Sequence, residues 1–202
     1  RESFLQAATF VGRAREMAQL TRALNNALQG QGSAWLIGGE SGVGKSRLMD
    51  ELRIQALVAG ALVLRGQAVE GGGLPFQLWR EALRRLVLTS ELSDVEASIL
   101  KEVVPEIERL LERPVADLPQ LPQAAGLERL GLTLVALLKR QTTPVVLLLE
   151  DLQWSVESLV LLQWVNRVVG EQPWLIIGNY RDDERPHLPD ELVGMHLLKL
   201  PR

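Results

Sequence analysis

The sequence predicts an α/β domain built on a parallel β-sheet, and three observations carry that reading. Short apolar runs recur at 34–37, 61–64, 145–149 and 174–177, and none alternates with polar residues as a half-exposed strand would. Stretches with apolar residues at helical spacing lie between them, so strands and helices take turns. The first run leads through glycines into a helical pattern, a strand-turn-helix start of the βαβ kind.

Taken in order, Phe10-Val11-Gly12-Arg13 precedes a helix marked by Met17, Leu20, Leu24 and Leu28, which Gly30 stops. After the strand at 34–37, a helix starting near Gly44 presents Leu48, Leu52 and Ala56 on one face and ends at Gly60. The run 61–64 is the second strand. Gly71-Gly72-Gly73 is a hinge or loop, followed by a helix carrying Leu78, Trp79, Ala82, Leu83, Leu86 and Val87. Trp79 belongs in the core rather than against a ligand, because its neighbours at that spacing are aliphatic. Pro105, Pro114, Pro119 and Pro122 break 90–122 into two short helices and a loop, and we expect about 74–122 to form a helical insertion. Leu127, Leu130, Leu134, Leu137 and Leu138 mark a longer helix running to about Arg140. The unalternating run 145–149 is a central strand ending in Glu150-Asp151, with Ser155 as N-cap of a helix carrying Leu159, Leu162 and Val165. The fourth strand, 174–177, closes on Asn179-Tyr180-Arg181. A polar, proline-punctuated loop follows, and 195–200 makes a fifth strand at an edge.

Composition bounds the function. With 202 residues, 47% hydrophobic and 23% charged, the chain is long enough for one main domain with a sizeable core. A net charge of −3 supplies no field to attract a polyanion, so direct nucleic-acid binding is not expected. Neither a membrane-length apolar stretch nor a secretory leader is visible, and we expect a soluble cytoplasmic domain. The absence of cysteine excludes disulfides, zinc-thiolate sites and a thiol nucleophile. His187 and His196 lack partners at ligand spacing, so no transition-metal site is expected. Arg1 in place of methionine and the ending Leu200-Pro201-Arg202 suggest a piece of a longer protein.

The chemistry is concentrated in Gly39-Glu40-Ser41-Gly42-Val43-Gly44-Lys45-Ser46, which fits G-x-x-x-x-G-K-[ST] at every fixed position. A triphosphate needs many N–H donors at close range, and glycines at 39, 42 and 44 let the backbone bend into such a nest at a helix N-terminus. Lys45 would reach the β- and γ-phosphates, and Ser46 offers a hydroxyl to Mg²⁺. Arg47 follows on the same turn as a further binding residue. In open parallel sheets ligands collect beyond the carboxyl ends of the strands, where Gly39, Glu150 and Arg181 all lie. We assign Glu150, the first acid after the apolar run, to the metal, and Asp151 to the water that attacks the γ-phosphate. Arg181 either senses γ-phosphate charge or pairs with Asp182, Asp183 or Glu184, and the sequence leaves both open. No Asn/Thr-Lys-x-Asp guanine-reading motif occurs, so ATP is expected rather than GTP.

Val11-Gly12-Arg13-x-x-Glu16, the glycine-rich loop, Leu147-Leu148-Leu149-Glu150-Asp151-Leu152-Gln153-Trp154 and Tyr180-Arg181 together resemble the STAND branch of the AAA+ ATPases. Within it the chain is most similar to bacterial AAA ATPase domains of large signalling and transcription regulators, over about 10–200. The resemblance implies a P-loop NTPase three-layer sandwich with a five-stranded parallel sheet in the order 5-1-4-3-2. It also implies adenine near Val11, Gly12 and Arg13, ATP or ADP with Mg²⁺ as ligands, and Arg181 as the sensor arginine. The function implied is a slowly hydrolysing ATP switch. Its expected partners are C-terminal winged-helix and sensor or effector domains and a nucleotide-dependent homo-oligomer. The alternatives are a scaffold that holds nucleotide without cycling, and a DNA-remodelling motor. The chain departs from the family in two places: Val156 stands where an aspartate is common, and the chain stops before the winged-helix region.

Overall fold

The computed structural model describes residues 12–71, 73–119 and 121–202. Val11, expected near the adenine, lies outside the described residues. Five parallel strands form one sheet: β1 (Ser33–Gly38), β2 (Leu62–Gln67), β3 (Val145–Glu150), β4 (Trp174–Tyr180) and β5 (His196–Lys199). Their order is β2-β3-β4-β1-β5, the expected 5-1-4-3-2 read from the other edge.

The lack of alternation in the strands has a direct cause, because both sheet faces are covered. On one face, Val146, Leu148, Leu175, Ile177 and Ile37 pack against α1 (Ala14–Leu28) and α2 (Lys45–Val58) through Leu20, Leu24, Leu48 and Leu52. On the other, Val145, Leu147, Leu149 and Ile176 meet α3 (Gln77–Thr89), α6 (Gln123–Lys139) and α7 (Ser158–Val168). Successive strand residues face opposite layers, so Val145 to Leu149 of β3 and Trp174 to Ile177 of β4 are apolar at every position. Trp79 is fully buried in the second core, and its indole N–H donates to the Ser158 carbonyl at 2.9 Å.

Between α3 and α6 the proline-broken segment makes α4 (Asp94–Leu100) and α5 (Ile107–Leu111), the two short helices expected. The last helix, α8 (Leu188–Glu191), is a single turn before β5. β2 runs three residues further than its apolar run, through Arg65-Gly66-Gln67. Gly66 is where α3 crosses closely, and a Cβ there would lie 1.8 Å from the Leu78 carbonyl oxygen. Ser155 is not the cap of α7. The chain first makes a 3-10 turn over Leu152–Trp154, with Trp154 and Ser155 N–H donating to the Asp151 and Leu152 carbonyls. That turn leaves Ser155 extended and starts α7 three residues later. Among the described residues no helix is long and apolar enough to cross a membrane.

Candidate functional site

β1 delivers the chain to Gly39 and α2 departs at Lys45, so 39–44 must turn from a buried strand into a helix whose first N–H groups have no helical partner. Gly42 and Gly44 make the turn in left-handed conformation, with φ of +81° and +97°. A Cβ at either would meet nothing within 4 Å, so backbone angle demands glycine there and the space beside the loop stays open. Lys45 folds back across the loop, its Nζ donating to the carbonyls of Gly39 at 2.6 Å and Glu40 at 2.7 Å. Burial first, and the nearby Arg181 guanidinium second, hold the Lys45 ammonium below the usual lysine range. A polyanion in the loop would reverse the second cause.

One cavity of about 220 Å³ is lined by Ser41, Gly42, Gly44, Lys45, Ser46, Arg47, Asp151 and Arg181. The ends of β3 and β4 thus meet the loop. Asp151 has left-handed backbone (φ +59°), and three amide side chains fix it. Gln67 Nε2 donates to its Oδ2 at 3.0 Å, Gln153 Nε2 donates to its Oδ1 at 3.3 Å, and its own N–H donates to Asn179 Oδ1 at 2.9 Å. Gln153 also accepts the Arg181 backbone N–H at 3.1 Å, so one buried amide ties the acid to the arginine. Asn179, fully buried, carries the tie on towards α2 through Met49, with Nδ2 at 3.0 Å from Sδ.

Glu150 is placed differently from its neighbour. It falls on the α2 face of β3, in step with Val146 and Leu148, but does not line this cavity, and its Oε1 accepts from Arg65 Nη2 at 2.9 Å. Arg181 lines the cavity, and its Nη1 donates to Glu184 Oε1 at 2.6 Å, so of the acids that follow it the pairing is with Glu184. Glu40 and Val43 turn to an adjoining cavity of about 270 Å³ shared with Asp182, Lys199, Leu200, Pro201 and Arg202. Arg202 Nε donates to Glu40 Oε2 at 2.7 Å. Gly12 is exposed, while Arg13 reaches the Val43 carbonyl at 3.5 Å and also bonds the Pro201 carbonyl and Glu16. Among the described residues no group of three or more His, Cys, Asp or Glu could hold a metal, so a Mg²⁺ here would draw most of its oxygens from a nucleotide and water.

A glycine-bent loop opening a helix, a lysine laid across it, and an acid and an arginine from neighbouring strand ends define a P-loop nucleotide-binding domain. Residues 9–177 match the AAA ATPase domain family, and the chain belongs to it. A comparison with curated protein sequences returns no match. Among solved structures the chain is similar to the ORC1 protein of Aeropyrum pernix in complex with DNA, at 21% identity and a TM-score of 0.46 over 94% of this chain and 45% of that one. It is also similar to Cdc6p from Pyrobaculum aerophilum, at 18% identity and a TM-score of 0.49 over 94% of this chain and 45% of that one. The chain spans under half the length of both, and likeness this remote says nothing of what it binds.

Proposed function

We propose that this chain is a STAND-type AAA ATPase domain, the nucleotide-dependent switch of a larger cytoplasmic signalling or transcription regulator. The observation that carries the reading is the single cavity on which Lys45, Ser46, Asp151 and Arg181 converge with the glycine-bent loop. Residues 39–47 would hold the phosphates of ATP, with adenine towards Val11, Gly12 and Arg13; Arg13 is already bonded to the loop at Val43. Ser46, which lines the cavity, would hold Mg²⁺, with Glu150, outside the cavity and paired with Arg65, contributing through a water; the ion would screen phosphate charge when bound. Asp151, fixed by Gln67 and Gln153, is suited to orienting a water, because a carboxylate held at both oxygens needs no reordering before it acts. We read 1–202 as one nucleotide-binding unit with a helical insertion at about 74–122. Its partners would be winged-helix and effector domains and further copies of itself, without direct contact to nucleic acid.

Steady-state phosphate release at saturating Mg-ATP, measured across protein concentrations, tests the proposal. Slow release is expected, rising per molecule if neighbouring copies complete the site. Asp151→Asn should lower release by at least about tenfold while Mg-ATP still binds. Nucleotide binding with no release, unaffected by Asp151→Asn, would make the domain a scaffold that holds nucleotide without cycling.

A further inference from the structure

Arg181 is held by more than an ion pair. Its Nη1 donates to Glu184 Oε1 at 2.6 Å, its guanidinium carbon lies 5.1 Å from the centre of the Trp154 ring, and the Trp154 indole N–H donates to Glu184 Oε2 at 2.9 Å. Each member of this triangle touches the other two. Glu184 uses one oxygen for the arginine and the other for the indole, so it sets both at once. The Arg181 backbone is pinned separately by Gln153, which leaves only the side chain free to change partners. Glu184 and Arg181 keep about a third of their side-chain surface exposed, at 35% and 31%. Exchange of partners is therefore open to water, and the pair is of the weak, exposed class.

The two ends of this triangle face different spaces. Arg181 lines the phosphate-loop cavity with Lys45 and Ser46. Trp154 lines a separate groove of about 380 Å³ together with Val69, Leu74, Phe76 and Val156. A side chain that leaves Glu184 for the first space also leaves the ring that walls the second.

We propose that Glu184 is a specificity-determining residue that competes with a nucleotide's terminal phosphate for Arg181. In this way the domain tells a nucleoside triphosphate from a diphosphate and signals the difference through Trp154. The inference rests on the nucleotide-binding reading above. A γ-phosphate offers the guanidinium two oxygens in a charge-assisted fork, a stronger partner than an exposed carboxylate. A diphosphate has no group at that position, so Arg181 stays with Glu184 and Trp154 stays stacked. Glu184 therefore weakens triphosphate binding and leaves diphosphate binding alone.

The experiment is calorimetric titration of the 202-residue chain with Mg-ATP and with Mg-ADP, for the wild type and Glu184→Gln, which keeps an acceptor for the indole but removes the charge. Affinity for ATP should rise about three- to fivefold, as expected for loss of an exposed competitor, and affinity for ADP should stay within about twofold. In an Arg181→Ala background the same substitution should change neither. ATP, but not ADP, should shift tryptophan fluorescence in the wild type, and Trp154→Phe should remove the shift. An ATP-to-ADP affinity ratio that Glu184→Gln leaves unmoved or lowers overturns the proposal while leaving nucleotide binding intact. A wild type that binds neither nucleotide overturns both readings. Because the Arg181→Ala comparison is internal, a general loosening of the fold by Glu184→Gln would show as equal changes in both backgrounds and would also overturn it.

Discussion

Lys45→Ala will weaken Mg-ATP binding by roughly 30- to 150-fold. The ammonium spans the loop from the Gly39 carbonyl to that of Glu40, where a phosphate would give it a charge-assisted partner. Such a bond contributes on the order of 2 to 3 kcal/mol, and each 1.4 kcal/mol is a factor of about ten. The packing of α2 rests on Leu48, Met49 and Leu52, so the melting temperature should change little. Calorimetry decides the matter. Equal affinity in wild type and variant would mean that the loop is not where nucleotide sits.

Trp79→Ala carries the second large effect, a loss of roughly 3 to 5 kcal/mol of stability. The ring is fully buried on the α3 side of the sheet, and a close-packed core relaxes only in part into the space that a deleted indole leaves. Trp79→Phe keeps most of the volume and drops the N–H that Ser158 accepts, so about 1 to 2 kcal/mol should be lost instead. Urea unfolding of both variants separates volume from hydrogen bonding. An alanine variant within about 1 kcal/mol of the wild type would show that the core does not depend on Trp79.

The elements that position the phosphate loop were legible in the sequence because each is local. A run such as Val145-Val146-Leu147-Leu148-Leu149 declares itself a two-faced strand, and the loop's glycines stand at fixed spacing. The fixing of Asp151 was not legible, since sheet register brings Gln67 of β2 and Asn179 of β4 to it, and the 3-10 turn folds Gln153 back onto it. Gln67 was hidden further because β2 continues through Arg65-Gly66-Gln67, polar residues that an apolar run does not include. The edge position of β2 lets Arg65 reach water, and pairing opposite Leu148 of β3 leaves Glu150, two residues on, within reach of its guanidinium. Ser155 misled for a related reason. A serine ahead of an apolar helix has the composition of a cap, and only the intervening 3-10 turn removes it from that role.

Arg13 joins the Val43 carbonyl to that of Pro201, a contact across 188 positions, and β1 itself lies between β4 and β5. The strand that carries the loop is therefore made first and completed last. Closing so long a separation costs only about 0.6 kcal/mol more than closing one half as long, so it does not forbid the fold. It does order events. A chain emerging from the ribosome has its whole glycine-rich motif before β4 and β5, the strands that flank β1, have been made. Until then the motif is a flexible sequence rather than a receptor, and nucleotide meets a competent loop only once nearly the whole domain has been made.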